Sequence, residues 1–169
     1  QVYNATWDAS SGLFPDSVCP KWEYNNSANI EAPFFTGDTL TIATSDFVED
    51  ISYGQSNITE STLAIPPLLI IECRMRFVSG SSTSNFRAPA MIHFVNEFRK
   101  GNSLYIEGDA IFIESNENDR GPSASVDTDN NFHTYRIEVT AAGGISVFYD
   151  GNLTLSGTTY TSQLNHGDL

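Results

Sequence analysis

Between Leu68 and Val78 the chain reads LLIIECRMRFV, and its apolar side chains recur at alternate positions. Odd positions from Leu69 to Phe77 are Leu, Ile, Cys, Met and Phe, whereas even positions from Glu72 are Glu, Arg and Arg. Successive side chains of an extended chain point to opposite faces, so the pattern predicts a strand with one face on a core and a charged face turned away from it. Phe132–Thr140, FHTYRIEVT, alternates in the same way. With Gly144–Asp150, GISVFYD, it predicts a hairpin across Ala141–Gly143, and Asp150-Gly151 predicts a tight turn into a strand at Asn152–Leu155. Further strands are expected at Ala32–Phe35, Thr39–Thr44, Ile51–Gly54 and Pro89–Phe98. A hairpin of Ser103–Ile106 with Ala110–Glu114 is expected to turn at Glu107-Gly108-Asp109. Residues 1–29 have no such period and read as irregular, anchored by Trp7, Trp22 and Tyr24. No segment has a helical period and no repeat occurs. About ten strands with a turn every 8–12 residues make a β-sandwich or a closed barrel.

Composition narrows the partners more than it alters the fold. A length of 169 residues suits one domain covering 1–169, large enough to bury a core without a metal. The net charge is −13, and the 21 acidic residues are spread along the chain, ten before Asn85 and eleven after it. A surface negative throughout repels phosphate backbones, which argues against nucleic acid as a partner. The longest apolar run, Leu63–Ile71, has nine residues and is broken by Pro66-Pro67, so no membrane insertion is expected. A first residue of Gln, not Met, reads as a processed N-terminus and hence a secreted, extracellular protein. In that setting the two cysteines, Cys19 and Cys73, read as one disulfide worth roughly 4 kcal/mol in the chain-entropy picture, the alternative being two buried free thiols. N-x-S/T sequons at Asn4, Asn25, Asn57 and Asn152 permit N-glycosylation.

Catalytic signatures are sparse. Glu107, Asp109 and Glu114 come nearest to the paired carboxylates of a glycosidase. Two of them sit on a glycine turn and the third has the opposite parity, so they read as turn and surface residues. No Ser lies in a G-x-S-x-G elbow. The acidic loops at 114–119 and at 127–130, with Asp127 and Asp129, are oxygen-rich enough to suggest Ca²⁺ but match no defined calcium loop and read as solvated turns. His133 shares parity with Tyr135, Ile137 and Val139 and reads as a packed, hydrogen-bonded histidine at the edge of the core. The chemistry concentrates on strand faces. Glu72, Arg74 and Arg76 share one face, Arg136 and Glu138 share the polar face of another strand, and His93 adds a third site of polarity. If the first two strands belong to one sheet, three of the eight basic residues gather on it. Such a platform can hydrogen-bond sugar hydroxyls or hold uronate carboxylates in bidentate geometry. Trp7, Trp22, Tyr53, Phe86 and Tyr105 are the aromatics placed in or beside loops where a sugar ring could stack.

The segment VDTDNNFHTYRIEVTAAGGISVFYDGNLTLSG resembles the central hairpin of concanavalin A-like lectin/glucanase domains, with a loop before F-H-x-Y-R-I, a glycine turn and a strand ending in D-G. IIECRMRFVSG resembles the preceding core strand of that family, and WDASSGLFPDSVCPKWEY the N-terminal lead-in of its bacterial members. The resemblance implies a two-sheet antiparallel β-sandwich of jelly-roll type. It implies a non-catalytic glycan- or polysaccharide-binding module, with glycoside hydrolase or lyase activity as the outlying possibility. The family's final strand has no counterpart near Asn165–Leu169: either the sequence is cut short or the fold closes differently, or the vacant strand position is an open sheet edge that pairs with copies of this chain, as in an extracellular filament or coat.

Overall fold

The computed structural model describes residues 7–18, 22–26, 32–43, 51–54, 68–80, 88–95, 101–116 and 119–159. The chain divides into two compact units, Gln1–Leu63 and Ala64–Asp168. Twelve strands lie among the described residues, all antiparallel where paired. The protein is all-β, with helical structure there limited to two three-residue 3₁₀ turns, Ala9–Ser11 and Pro15–Ser17. None of it is long or apolar enough to cross a membrane as a helix.

The first unit carries four short strands. β1 (Glu23–Asn26) pairs with β4 (Ile51–Gly54), and β2 (Phe34–Thr36) with β3 (Thr39–Thr41). The β2–β3 turn needs Gly37, whose φ of 62° is open to glycine at no steric cost. Asp8 starts the first 3₁₀ turn by accepting from the Ser10 backbone N–H at 2.9 Å, and the Trp7 indole donates to the Leu13 carbonyl at 2.8 Å. Tilted aromatic pairs, Phe14–Phe35 at 4.8 Å and Tyr24–Tyr53 at 5.1 Å, supply the local packing. The expectation of an irregular stretch to residue 29 misses β1, whose EYNN sequence has no apolar alternation to reveal it.

The second unit is built from two four-stranded sheets. One has the order β12-β11-β10-β5, from β5 (Leu68–Met75), β10 (His133–Thr140), β11 (Gly144–Tyr149) and β12 (Asn152–Thr158). The other has the order β6-β7-β8-β9, from β6 (Ala90–Val95), β7 (Gly101–Ile106), β8 (Ala110–Asn116) and β9 (Asp119–Ser125). Leu104, Ile106, Ile111 and Ile113 of the second sheet share one apolar cluster with Tyr135, Ile137, Val139, Ile145, Val147 and Leu155 of the first. That shared core makes the unit a sandwich. Leu69, Ile71, Cys73 and Met75, the odd positions of β5, pack against it as their alternation requires. Gly157 of β12 lets the sheets close in, because a Cβ there would lie 3.1 Å from Ile113 Cδ1.

Three expectations change here. The loop at 114–119 is mostly strand: β8 runs to Asn116 and β9 starts at Asp119. β9 holds Gly121 and Pro122, poor strand formers tolerated because this is a sheet edge, with register shifts against β8. Glu114, read as a surface residue, is 8% exposed and accepts from the Tyr105 hydroxyl at 3.4 Å. Tyr105 is itself buried and stacked on Phe112, so it offers no ring for a sugar. Phe86 and the expected vacant position beyond β12 fall outside the described residues.

Candidate functional site

The core-averted face of the β12-β11-β10-β5 sheet gathers the charged residues singled out by alternation. β5 and β10 are neighbours, and their register sets Glu72 across from Arg136 and Arg74 across from Thr134. Arg136 is opposite Phe148 of β11, and a bulge in β12 brings Leu153 opposite Phe148. One row across four strands is therefore Glu72, Arg136, Phe148 and Leu153. The row beside it is Ile70, Glu138, Ser146 and Ser156. Glu72, Arg74 and Arg76 are exposed, and Leu153 is 59% exposed.

Short-range contacts organise this face. Arg136 forms an ion pair with Glu138, and its guanidinium carbon lies 5.8 Å from the centroid of Phe148. At the other end, Arg74 and Arg76 lie 5.1 and 5.6 Å from the centroid of Phe132, the residue just before β10. Stacking a guanidinium on an aromatic face is favourable and leaves its in-plane N–H donors free.

The loop that delivers Phe132 is stitched down. Val126 N–H donates to Asp109 O at 3.1 Å and Thr128 N–H to Gly108 O at 3.2 Å, while Phe77 N–H donates to Thr128 O at 3.1 Å. The buried Thr128 hydroxyl donates to Glu107 O, and the Tyr149 hydroxyl to Asp127 O. His133 is the packed histidine its parity suggested: Nδ1 lies 2.7 Å from Asp150 Oδ2, Nε2 lies 2.9 Å from Asn130 Oδ1, and the ring stacks on Tyr149 at 4.7 Å. Asp150 occupies the left-handed region with Gly151, φ 48° and 81°, as a two-residue Asp-Gly hairpin turn requires.

The hydrogen bond from His133, and then that from Thr134 N–H at 2.9 Å, hold the Asp150 carboxyl below its usual range. A carboxylate with a lowered folded-state pKa stabilises the fold above its unfolded pKa, and that stabilisation is lost as pH falls through the folded value. Asp150→Asn keeps the turn and removes the charge. It is expected to cost under about 1 kcal/mol at pH 7, because the carboxylate is substantially exposed, and to cost less still below pH ~3. Urea titrations at both pH values measure this; an equal loss at each would show that charge is not involved.

The remaining predicted residues lie elsewhere. His93 is on β6 in the other sheet, with Nδ1 3.0 Å from Ser103 Oγ, and does not join the arginines. Asp127 and Asp129 line an open depression with Asp109, Gly108, Ser125 and Val126, and Asp127 Oδ1 accepts from Asn130 N–H at 3.3 Å. Among the described residues no three His, Cys, Asp or Glu side chains are grouped to hold a metal ion. Cys73 is a free thiol facing the core, and burial, reinforced by Glu72, pushes it up to about 12. Cys19, Asn4 and Asn57 lie outside the described residues, and only the backbone of Asn25, in β1, is described. Asn152 is exposed at the start of β12.

Sequence reasoning missed Phe132, Phe148 and Leu153. Parity with Arg136 was an available signal for Phe132, and parity with Ser146 on its own strand for Phe148, but the β12 bulge that turns Leu153 to this face has no local signal. No family model, curated protein or solved structure matches the chain.

Proposed function

We propose that the protein is a secreted, non-catalytic glycan-binding module of concanavalin A-like, jelly-roll type that binds along the core-averted face of the β12-β11-β10-β5 sheet. The observation that carries this reading is the row Glu72, Arg136, Phe148, Leu153, in which a carboxylate, a guanidinium, an aromatic ring and an aliphatic side chain cross four strands. Sugars present hydroxyls at their edges and C–H groups on their faces, and this row offers hydrogen-bonding groups beside apolar surface to match. The sandwich and the alternation of β5 and β10 agree with the family resemblance of the sequence. Of the three nearest candidates for catalytic carboxylates, Glu114 is buried against Tyr105, Glu107 is paired with Arg120 at 3.1 Å, and Asp109 lines the open depression with Asp127, away from this row.

Immobilised polysaccharides, neutral and acidic, tested with and without Ca²⁺, provide the test. Phe148→Ala is expected to weaken retention about tenfold, the equivalent of one lost stacking contact of ~1.4 kcal/mol, with the fold intact by circular dichroism. Folded wild-type protein retained by none of the ligands in either condition would sink the reading.

A second reading, a subunit assembling through strand pairing, is favoured by β12 standing at the end of its sheet among the described residues, with Leu153 exposed. Sedimentation showing a monomer at all concentrations would remove it.

A further inference from the structure

We propose that Arg74 and Arg76 form a clamp for a single anionic substituent, a carboxylate or a sulfate ester, so that the ligand of this face is an acidic glycan. The inference rests on the glycan-binding function proposed for this face and specifies which ligand that function requires.

Four arginines are described, and they divide into two kinds. Arg120 is neutralised by Glu107 at 3.1 Å and Arg136 by Glu138. Arg74 and Arg76 form no ion pair among the described residues, although the chain carries 21 acidic side chains. Exposed arginines on so acidic a protein have many possible carboxylate neighbours, yet these two have an aromatic ring instead. Arg74 lies in β5 and Arg76 directly follows its last residue, Met75. Both side chains then converge on one ring, Phe132, at 5.1 and 5.6 Å.

Convergence of two like charges is unfavourable unless a counter-charge lies between them. The nearby carboxylates among the described residues do not supply it. Glu72 precedes Arg74 on the same face but has Arg136 as its cross-strand neighbour, and it pairs with neither Arg74 nor Arg76. Asp150 is engaged by His133 and by Thr134 N–H. Contact of both guanidinium groups with the Phe132 ring restricts the two side chains, which reduces the entropy lost on binding, while their N–H donors form no ion pair among the described residues. The residue is 36% exposed and enters β10 from the stitched loop, so the clamp has a rigid base.

An acidic sugar fits better than other anions. Two guanidinium groups hold one charged substituent, and Phe148 and Leu153, in the row of Glu72 and Arg136 and two and three strands from β5, offer surface for the sugar ring. A polyphosphate or an anionic bilayer would instead need an extended basic track, which a chain with net charge −13 and eight basic residues does not offer.

Titration calorimetry with polygalacturonate, its methyl-esterified form, a sulfated galactan and the desulfated galactan tests the clamp. Single-stranded DNA and phosphatidylcholine vesicles containing phosphatidylserine serve as competing anions. The wild-type protein is expected to bind an acidic form at least tenfold more tightly than its neutral counterpart, with the preference shrinking as salt rises. The Arg74→Gln, Arg76→Gln double variant is expected to bind acidic and neutral forms within about twofold of each other. Both side chains are exposed, so its melting temperature should match wild type. Equal wild-type affinity for acidic and neutral forms, or an unchanged preference in the double variant, overturns the clamp while leaving glycan binding in place. Failure of every glycan to bind overturns the functional reading itself. Tighter binding to DNA or to vesicles than to any glycan overturns the assignment of the anion to a sugar.

Discussion

Phe112→Ala is expected to lower stability by about 3–5 kcal/mol, a large share of what a domain of this size has. Phe112 has no exposed surface. Its ring stacks on Tyr105 at 5.0 Å with 17° between planes, and the Arg120 guanidinium lies 4.1 Å from its centroid on a side chain anchored by Glu107. Truncation would lose the transfer free energy of the ring, open a cavity between rigid strands and deprive Arg120 of its platform. In a chain of this size the corresponding drop in melting temperature is roughly 10 °C. Urea unfolding should show a lower midpoint at constant slope. A loss below ~1 kcal/mol would mean that Phe112 is not enclosed between Tyr105 and Arg120.

The second large effect is expected from Asn102→Asp. Asn102 of β7 is fully buried, and its amide nitrogen donates to Glu114 O in β8 and to Thr158 O in β12, each at 3.0 Å, while its Oδ1 accepts from Ser103 N–H. It thus ties the two sheets together. Replacing the amide by a carboxylate turns two donated bonds into two facing acceptors and buries a charge, at a cost of about 3–5 kcal/mol near pH 7. The aspartate would be driven to take up a proton, raising its folded pKa above the unfolded value of ~3.9. The variant is therefore closest to wild-type stability below that value and falls further behind as pH rises. Asn102→Ala, which strands two carbonyls and the Ser103 N–H but buries no charge, should cost about 1–3 kcal/mol with no such pH dependence. Stability curves of both variants from pH 3 to 8 separate the two mechanisms; parallel curves would contradict the charge argument.

Legibility in the sequence depended on how local the signal was. Alternation in LLIIECRMRFV and FHTYRIEVT identified β5 and β10, their buried sides and their charged sides, because a half-buried strand writes its environment into a two-residue period. Asp150-Gly151 announced its turn because few residues other than glycine, asparagine and aspartate accept positive φ. β9 escaped detection because an edge strand tolerates the glycine and proline that normally signal a loop. Glu114 and Tyr105 were misjudged because both faces of β7 and β8 are buried, and parity cannot distinguish solvent from a second covered face.

The candidate site divides along the same line. Composition and periodicity alone determined an acidic all-β protein and the membership of each strand face, since burial of hydrocarbon requires alternate positions to be apolar. Only the tertiary structure decided that β5 lies beside β10, that Glu72 meets Arg136, and that Phe132 receives Arg74 and Arg76, because the adjacency and register of these strands arise from contacts between residues some 60 positions apart.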